Sequence, residues 1–265
     1  ATPIPRTLAI TLYGDMDLCI IDEMPKNRKP VITKVIDENR LKRVYDFMAK
    51  EVVLGRQCMI VYPLVEETEK SDLIAAMEMY EELSKNEFSN LEVGLIHGKM
   101  EKTEKDSIMN NFSANNINIL ISTTVIEVGI DVPNSTIMLI EHAERFGLTQ
   151  LHQLRGRVGR GKNKSFCILV RRSFSENAKK RLNIMEETND GFVIADEDLK
   201  IRGPGEFFGI RQSGYLSFKI ANMKTDGSLI QKARKLAKEI IKHDSNLEGR
   251  KNIELKNKLY KTYKQ

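Results

Sequence analysis

Between Ser122 and Gly161 the chain sets small hydroxyls, a glycine and an aspartate, and then a run of arginines: STTVIEVGIDVPN, and further on QLHQLRGRVGRG. Ser122, Thr123 and Thr124 follow an apolar, strand-like run. Hydroxyls at the end of a strand suit phosphate oxygens that approach a sheet edge. Arg155, Arg157 and Arg160 stand around Gly156, Gly159 and Gly161. Arginines this close together cannot be buried unpaired, so anionic partners are expected for them. A nucleoside triphosphate is one such partner, because an arginine can neutralise charge as the γ-phosphoryl group leaves.

The elements that must position these residues read as strand, helix, strand, helix. Apolar, β-rich runs occur at Val31–Ile36, Met59–Val61, Ile117–Ile121, Thr136–Ile140 and Phe166–Val170. Near-continuous apolar strands fit a parallel sheet covered on both faces. Leu41, Val44, Tyr45, Met48 and Val52 fall at helical spacing, as do Leu73, Met77, Tyr80 and Leu83. The pattern predicts an α/β domain with right-handed crossovers. Ligands of such sheets bind at the carboxyl ends of the strands. Thr123, Asp131 and the loop after Val61 are expected at or near those ends.

After Val170 the alternation stops. Asn177–Glu187 reads as a charged helix, followed by a loop rich in Gly and Asp and a Gly-Pro-Gly segment at Gly203–Gly205. Leu229, Ala233, Leu236, Ala237 and Ile240 mark a further amphipathic helix. The expected organisation is a lead-in over residues 1–29, an α/β lobe over 30–172 and a mainly helical appendage over 173–265.

Composition narrows the function classes. The chain has 265 residues, 41% hydrophobic and 30% charged, as in an ordinary globular protein. Its net charge of +5 is unevenly spread. From Arg155 to Arg181 there are ten Lys and Arg against one acid, Glu176, and the stretch Arg250–Lys264 is also basic. Clustered positive charge suits nucleic acid. Tryptophan is absent and aromatics are 6%, which argues against a base-stacking platform for single strands. No apolar run approaches the ~20 residues of a membrane helix. Cys19, Cys58 and Cys167 stand singly inside apolar runs, with no C-x-x-C and no His/Cys cluster. They read as buried free thiols of a reducing cytoplasm, and no metal site is expected.

The hydroxyl and arginine segments resemble motifs V and VI of superfamily 2 helicases. ATPIPRTLA at Ala1–Ala9, IVYPLVEETE at Ile60–Glu69 and ADEDLKIRGPGEFFGIRQSG at Ala195–Gly214 are similar to the RecG family within that superfamily. The last block resembles the family's TRG motif, which is shared in kind with the transcription-repair coupling factor. The resemblance makes the α/β lobe RecA-like, the second of two motor lobes. It implies that Arg157 and Arg160 face ATP phosphates, and that Gly129, Asp131 and Gln153 lie near the nucleotide. It implies DNA contacts for His97, Gly98, Lys99, Thr123 and Thr124. It also implies that Arg202, Gly203, Gly205, Glu206 and Gln212 carry motion from the ATP cleft to a DNA-gripping element. Gly203, Gly205 and Gly209 would permit the tight turns such an element needs.

No G-x-x-x-x-G-K-[ST] loop occurs in the chain. Asp22-Glu23 follows an apolar run, but the resemblance sets it after motif III rather than at the magnesium-binding motif. The expectation is therefore the second half of a motor within a longer protein. ATP and Mg²⁺ would be bound mainly by a first lobe, and branch specificity would come from a wedge domain. The implied partner is double-stranded, branched DNA, handled by a monomer in a bacterial cytoplasm, with no membrane. Two alternatives stand beside this reading: a coupling-factor motor, and a non-catalytic nucleic-acid-binding module on a helicase-like scaffold.

Overall fold

A computed structural model describes residues 29–63, 69–123, 132–202 and 227–263, together with Cys19, Ile21 and Glu23. Among the described residues the chain forms two compact units, one from Glu23 to Asp198 and the other of Cys19, Ile21 and the residues from Leu199 on.

The first unit is built on a six-stranded parallel sheet in the order β1-β6-β5-β2-β4-β3. The strands are β1 Ile32–Asp37, β2 Gln57–Tyr62, β3 Val93–Ile96, β4 Ile119–Thr123, β5 Ser135–Ile140 and β6 Phe166–Arg171. Each neighbouring pair is parallel. Between them run α1 Leu41–Val53, α2 Glu69–Lys85, α3 Lys102–Ser113 and α4 Leu148–Arg155. Next come α5 Glu176–Glu187 and α6 Gly191–Arg202, the latter crossing from one unit into the other. This is the α/β fold that the alternation of runs predicts, and it fits the RecA-like lobe that the resemblance implies.

One sheet face packs Cys58, Ile60, Ile119, Ile121, Ile137, Leu139, Ile168 and Val170 against α1 and α2. Met48 lies at the centre of α1's buried stripe with 0% exposure. The alternate strand residues Met59, Val61, Leu120, Met138, Ile140, Cys167 and Leu169 point to the other face and are buried too. That double burial is why the strands read as continuous apolar runs.

The sheet departs from the expected strands in one respect. β3 is a sixth strand of only four residues, and it contains Gly94. A Cβ on Gly94 would lie 2.9 Å from Ile117 Cδ1, so the small residue permits the close approach. A second departure follows α5, where the Gly- and Asp-rich stretch is largely helix α6. Asp190 starts it by accepting from the Phe192 N–H at 2.8 Å, and Ile194, Ala195 and Leu199 are buried. Local capping and burial outweigh the loop-like composition.

The second unit holds α7 Gly227–His243 and α8 Ile253–Tyr263. Asp244 organises the turn between them, accepting from Asn252 Nδ2 at 2.9 Å and from the Glu248 and Gly249 N–H groups at 2.9 and 2.8 Å. These bonds, the Asn252 one first, hold its carboxyl below the usual range.

At the amino ends of the strands, Gln57 is fully buried in the gap between α3 and β4. Its amide donates to the carbonyls of Phe112 and Ile117, and its oxygen accepts from Asn134 Nδ2 at 3.3 Å. Gln57→Ala should orphan the Ile117 carbonyl, leave the Phe112 carbonyl with only the Asn115 N–H at 3.1 Å, and cost roughly 1–3 kcal/mol of stability. A urea titration read by circular dichroism would measure this, and an unchanged midpoint would refute it.

Candidate nucleotide and nucleic-acid site

α4 takes its form from Leu148, Leu151 and Leu154, an apolar stripe that faces the interior. The Gly147 N–H ahead of it donates to Gln150 Oε1 at 3.0 Å. After Gly156 the chain tightens, with Arg157 N–H donating to Leu154 O at 2.9 Å and Val158 N–H to Arg155 O at 3.3 Å.

The three arginines of this segment have different environments. Arg155 is only 3% exposed. It donates to the carbonyls of Met185 and Thr188, each at 2.9 Å, to Thr33 Oγ1 at 3.2 Å, and its Nη2 lies 3.1 Å from His152 Nδ1. The anion expected for a buried arginine is thus replaced here by neutral oxygens at the end of α5. Burial lowers the Arg155 pKa, and the same burial pushes the nearby Cys167 thiol up to about 12. Arg157 is half-buried, and among the described residues no hydrogen bond or ion pair holds its guanidinium. Burial and the neighbouring Arg160 both lower its pKa. Arg160 is exposed, with Nε donating to Gly156 O at 3.2 Å. Gln153 is exposed one turn earlier on α4.

The glycines fix where these arginines stand. Gly159 has φ +76°, and a Cβ there would meet Val31 Cγ2 at 2.7 Å. A Cβ on Gly161 would meet the Pro133 carbonyl oxygen at 2.5 Å. Val31 leads into β1 and Pro133 into β5, so the arginine loop lies at the amino edge of the sheet. Pro133 is two residues beyond Asp131.

The other candidates lie at the carboxyl edge. His97 follows β3, and its N–H approaches Met100 Sδ at 3.4 Å. Gly98 and Lys99 form an exposed turn, with Lys105 Nζ donating to Gly98 O at 2.8 Å. Thr123 closes β4 but is 1% exposed, and its hydroxyl has no partner among the described residues. The structure thus brings His97 and Thr123 to one edge and the arginine loop to the other. Thr124, Gly129 and Asp131 lie outside the described residues, as do Gly203, Gly205, Glu206, Gln212 and the Arg202 side chain.

A charged network that sequence reasoning missed joins the carboxyl ends of β1, β5 and β6. Arg172 Nε donates to the buried Glu141 at 3.3 Å and Nη1 donates to Glu38 Oε1. Arg172 N–H donates to Glu144 Oε2 at 3.2 Å. Arg181 on α5 donates to the carbonyls of Glu144 at 2.9 Å and Phe146 at 3.3 Å. These residues are scattered in sequence and match no motif, so only the fold reveals them.

Comparison with known proteins accounts for both units. Residues 39–162 match the helicase conserved C-terminal domain, and residues 188–265 match domain 3, C-terminal, of ATP-dependent DNA helicase RecG. The Synechocystis RecG is 48% identical over 256 residues, covering 97% of this chain and 31% of that protein. The Bacillus subtilis RecG is 51% identical over 245 residues, covering 92% of this chain and 36% of that protein. The chain belongs to the RecG helicase family. A solved structure of RecG bound to a three-way DNA junction matches with a TM-score of 0.69 at 48% identity, over 87% of this chain and 30% of that one. The chain therefore spans about a third of the length of the curated relatives it matches.

Two outcomes follow for this site. Arg155→Ala should destabilise the first unit by roughly 1–3 kcal/mol, because it orphans carbonyls at the end of α5. Arg155→Lys should restore little, since one ammonium cannot replace a planar fork that reaches several acceptors. Thermal melting of both variants tests this. The second outcome concerns pH. Burial lowers the pKa of His97 and of His142, with Lys105 adding to the effect at His97 and Arg172 at His142. A folded-state pKa below the unfolded value of about 6.5 gives stability that is present above that pH and lost as pH falls through the folded pKa. Melting temperature should therefore drop between about pH 7.5 and about pH 5.5, and less so in a His97→Gln, His142→Gln double variant.

Proposed function

We propose that the full-length protein is an ATP-driven translocase on duplex DNA that remodels branched DNA such as replication forks and Holliday junctions, and that this chain supplies its second motor lobe and coupling element. The observation that carries this reading is the continuous likeness to RecG proteins across more than nine-tenths of the chain. The match to a RecG held on a three-way junction supports it.

In this reading residues 30–172 are the motor lobe, 173–265 the coupling appendage and 1–29 a lead-in from the first lobe. Arg157 and Arg160 are the groups that suit a triphosphate. They are two neighbouring cations at one sheet edge, and Arg157 is unengaged among the described residues. Gly129, Asp131 and Gln153 would complete the nucleotide side. ATP with Mg²⁺ would be held mainly by the first lobe and would supply the free energy of phosphoryl transfer. The arginines would neutralise charge that develops at the transferring group.

At the opposite edge, Gly98 and Lys99 are exposed and can meet DNA phosphates, with His97 and Thr123 at that same edge. Thr124 would add a further hydroxyl. Such contacts are tolerant of sequence and weaken with salt. Arg202, Gly203, Gly205, Glu206 and Gln212 would couple cleft closure to movement on DNA. The protein would act as a monomer in the bacterial cytoplasm. Among the described residues, no helix is long and apolar enough to cross a membrane.

Arg160→Ala in the full-length protein tests the assignment. DNA-stimulated ATP turnover should fall by about 10³-fold or more, while ATP binding changes only a few-fold, because the arginine acts in the transition state. Turnover at the wild-type rate would remove Arg160 from the active site.

A further inference from the structure

Glu141 follows the last residue of β5 and is 0% exposed. Its N–H donates to Val61 O at 2.9 Å, which ties it to the end of β2. Its Oε2 accepts from Arg172 Nε at 3.3 Å, and its Oε1 has no partner among the described residues. Burial raises its pKa, and Arg172 opposes that rise. A carboxylate with one anchoring cation depends on it heavily, because an unpaired buried charge is costly.

Arg172 holds more than Glu141. Its N–H donates to Glu144 Oε2 at 3.2 Å, and its guanidinium also reaches Glu38 after β1. Glu141 and Glu144 flank the left-handed residue His142, φ +47°, at the head of the 3₁₀ turn Ala143–Arg145. A non-glycine residue in that conformation persists where its surroundings over-determine it. Arg172 therefore grips this turn on both sides. The turn ends at Phe146, and α4 starts two residues later.

α4 is a lever. It is 8 residues long, so it spans about 12 Å. A tilt of about 10° at its start would move its far end by about 2 Å. Arg157 and Arg160 lie just beyond that far end. A misplacement of about 1 Å at reacting groups can cost about 10²-fold in rate.

We propose that Glu141 and Arg172 are positioning residues for Arg157 and Arg160, setting the turn from which α4 delivers them to the nucleotide side. This rests on the reading of the arginine segment given above.

The test is a double-mutant cycle on ATP turnover by the full-length protein at saturating DNA. Glu141→Gln keeps the shape of the side chain and removes its charge. Alone it should lower kcat by about 10- to 100-fold with the KM for ATP within about twofold. In an Arg157→Ala, Arg160→Ala background it should cause less than about a twofold further loss, because both residues it positions are already gone. Arg172→Lys, which keeps the charge but loses the fork, should show the same non-additivity. Melting curves identify any variant that fails to fold, and for such a variant hydrogen exchange across α4 in the folded fraction replaces the rate. Faster exchange there than across α1 supports positioning, and equal exchange overturns it. A Glu141→Gln enzyme as active as wild type, or an equal loss in both backgrounds, overturns the proposal while leaving the arginine reading intact. Wild-type turnover by Arg160→Ala would instead sink that reading, and the positioning role with it.

Discussion

All six strands run the same way, so each connection between neighbours in the chain must travel the length of the sheet. Most of what distinguishes this unit follows from that constraint. The link from β5 to β6 leaves at the carboxyl edge, turns through His142 to Phe146, crosses as α4 and arrives at the amino edge in the glycine loop. One short helix thereby separates two chemistries that are near neighbours in sequence. Its two ends are anchored differently. Ionic and carbonyl contacts from Arg172 and Arg181 fix the entry, and Arg155 together with the packing of Gly159 and Gly161 fixes the exit.

The exchange of arginines between α4 and α5 shows how a charge can serve as a structural bolt. Arg155 of α4 meets carbonyls at the end of α5, and Arg181 of α5 meets carbonyls of the turn that leads into α4. The carbonyls are partial negative charges, so neither guanidinium requires a carboxylate to be buried. The pair α4–α5 is thus fastened at two points along its length.

The fold was legible because its sheet is buried on both faces. Runs such as Met59–Val61 and Phe166–Val170 carry no alternation, and only a covered parallel sheet tolerates that. The short β3 was harder to read, since Gly94 interrupts its apolar character for the sake of Ile117. The arginine segment announced itself by density of charge and glycine. The role of Arg155 was hidden, because its partners are backbone oxygens of Met185 and Thr188, thirty residues and more away, and carbonyls leave no mark in a sequence. Glu141 and Arg172 were hidden for a related reason. Each is an ordinary charged residue beside a strand until the parallel register brings the ends of β5 and β6 together. The buried state of Thr123 likewise depends on what covers β4, which a run of hydroxyls does not disclose.

The cysteines, read together as buried thiols, prove unequal. Cys58 and Cys167 are fully enclosed within strands, and burial raises both thiols far above the range in which a thiolate forms at neutral pH. Cys19 is exposed. Because the thiolate is the nucleophile, a maleimide dye offered to the folded chain finds one address out of three. Within this chain a fluorophore can therefore be attached at Cys19 with neither of the other two cysteines replaced.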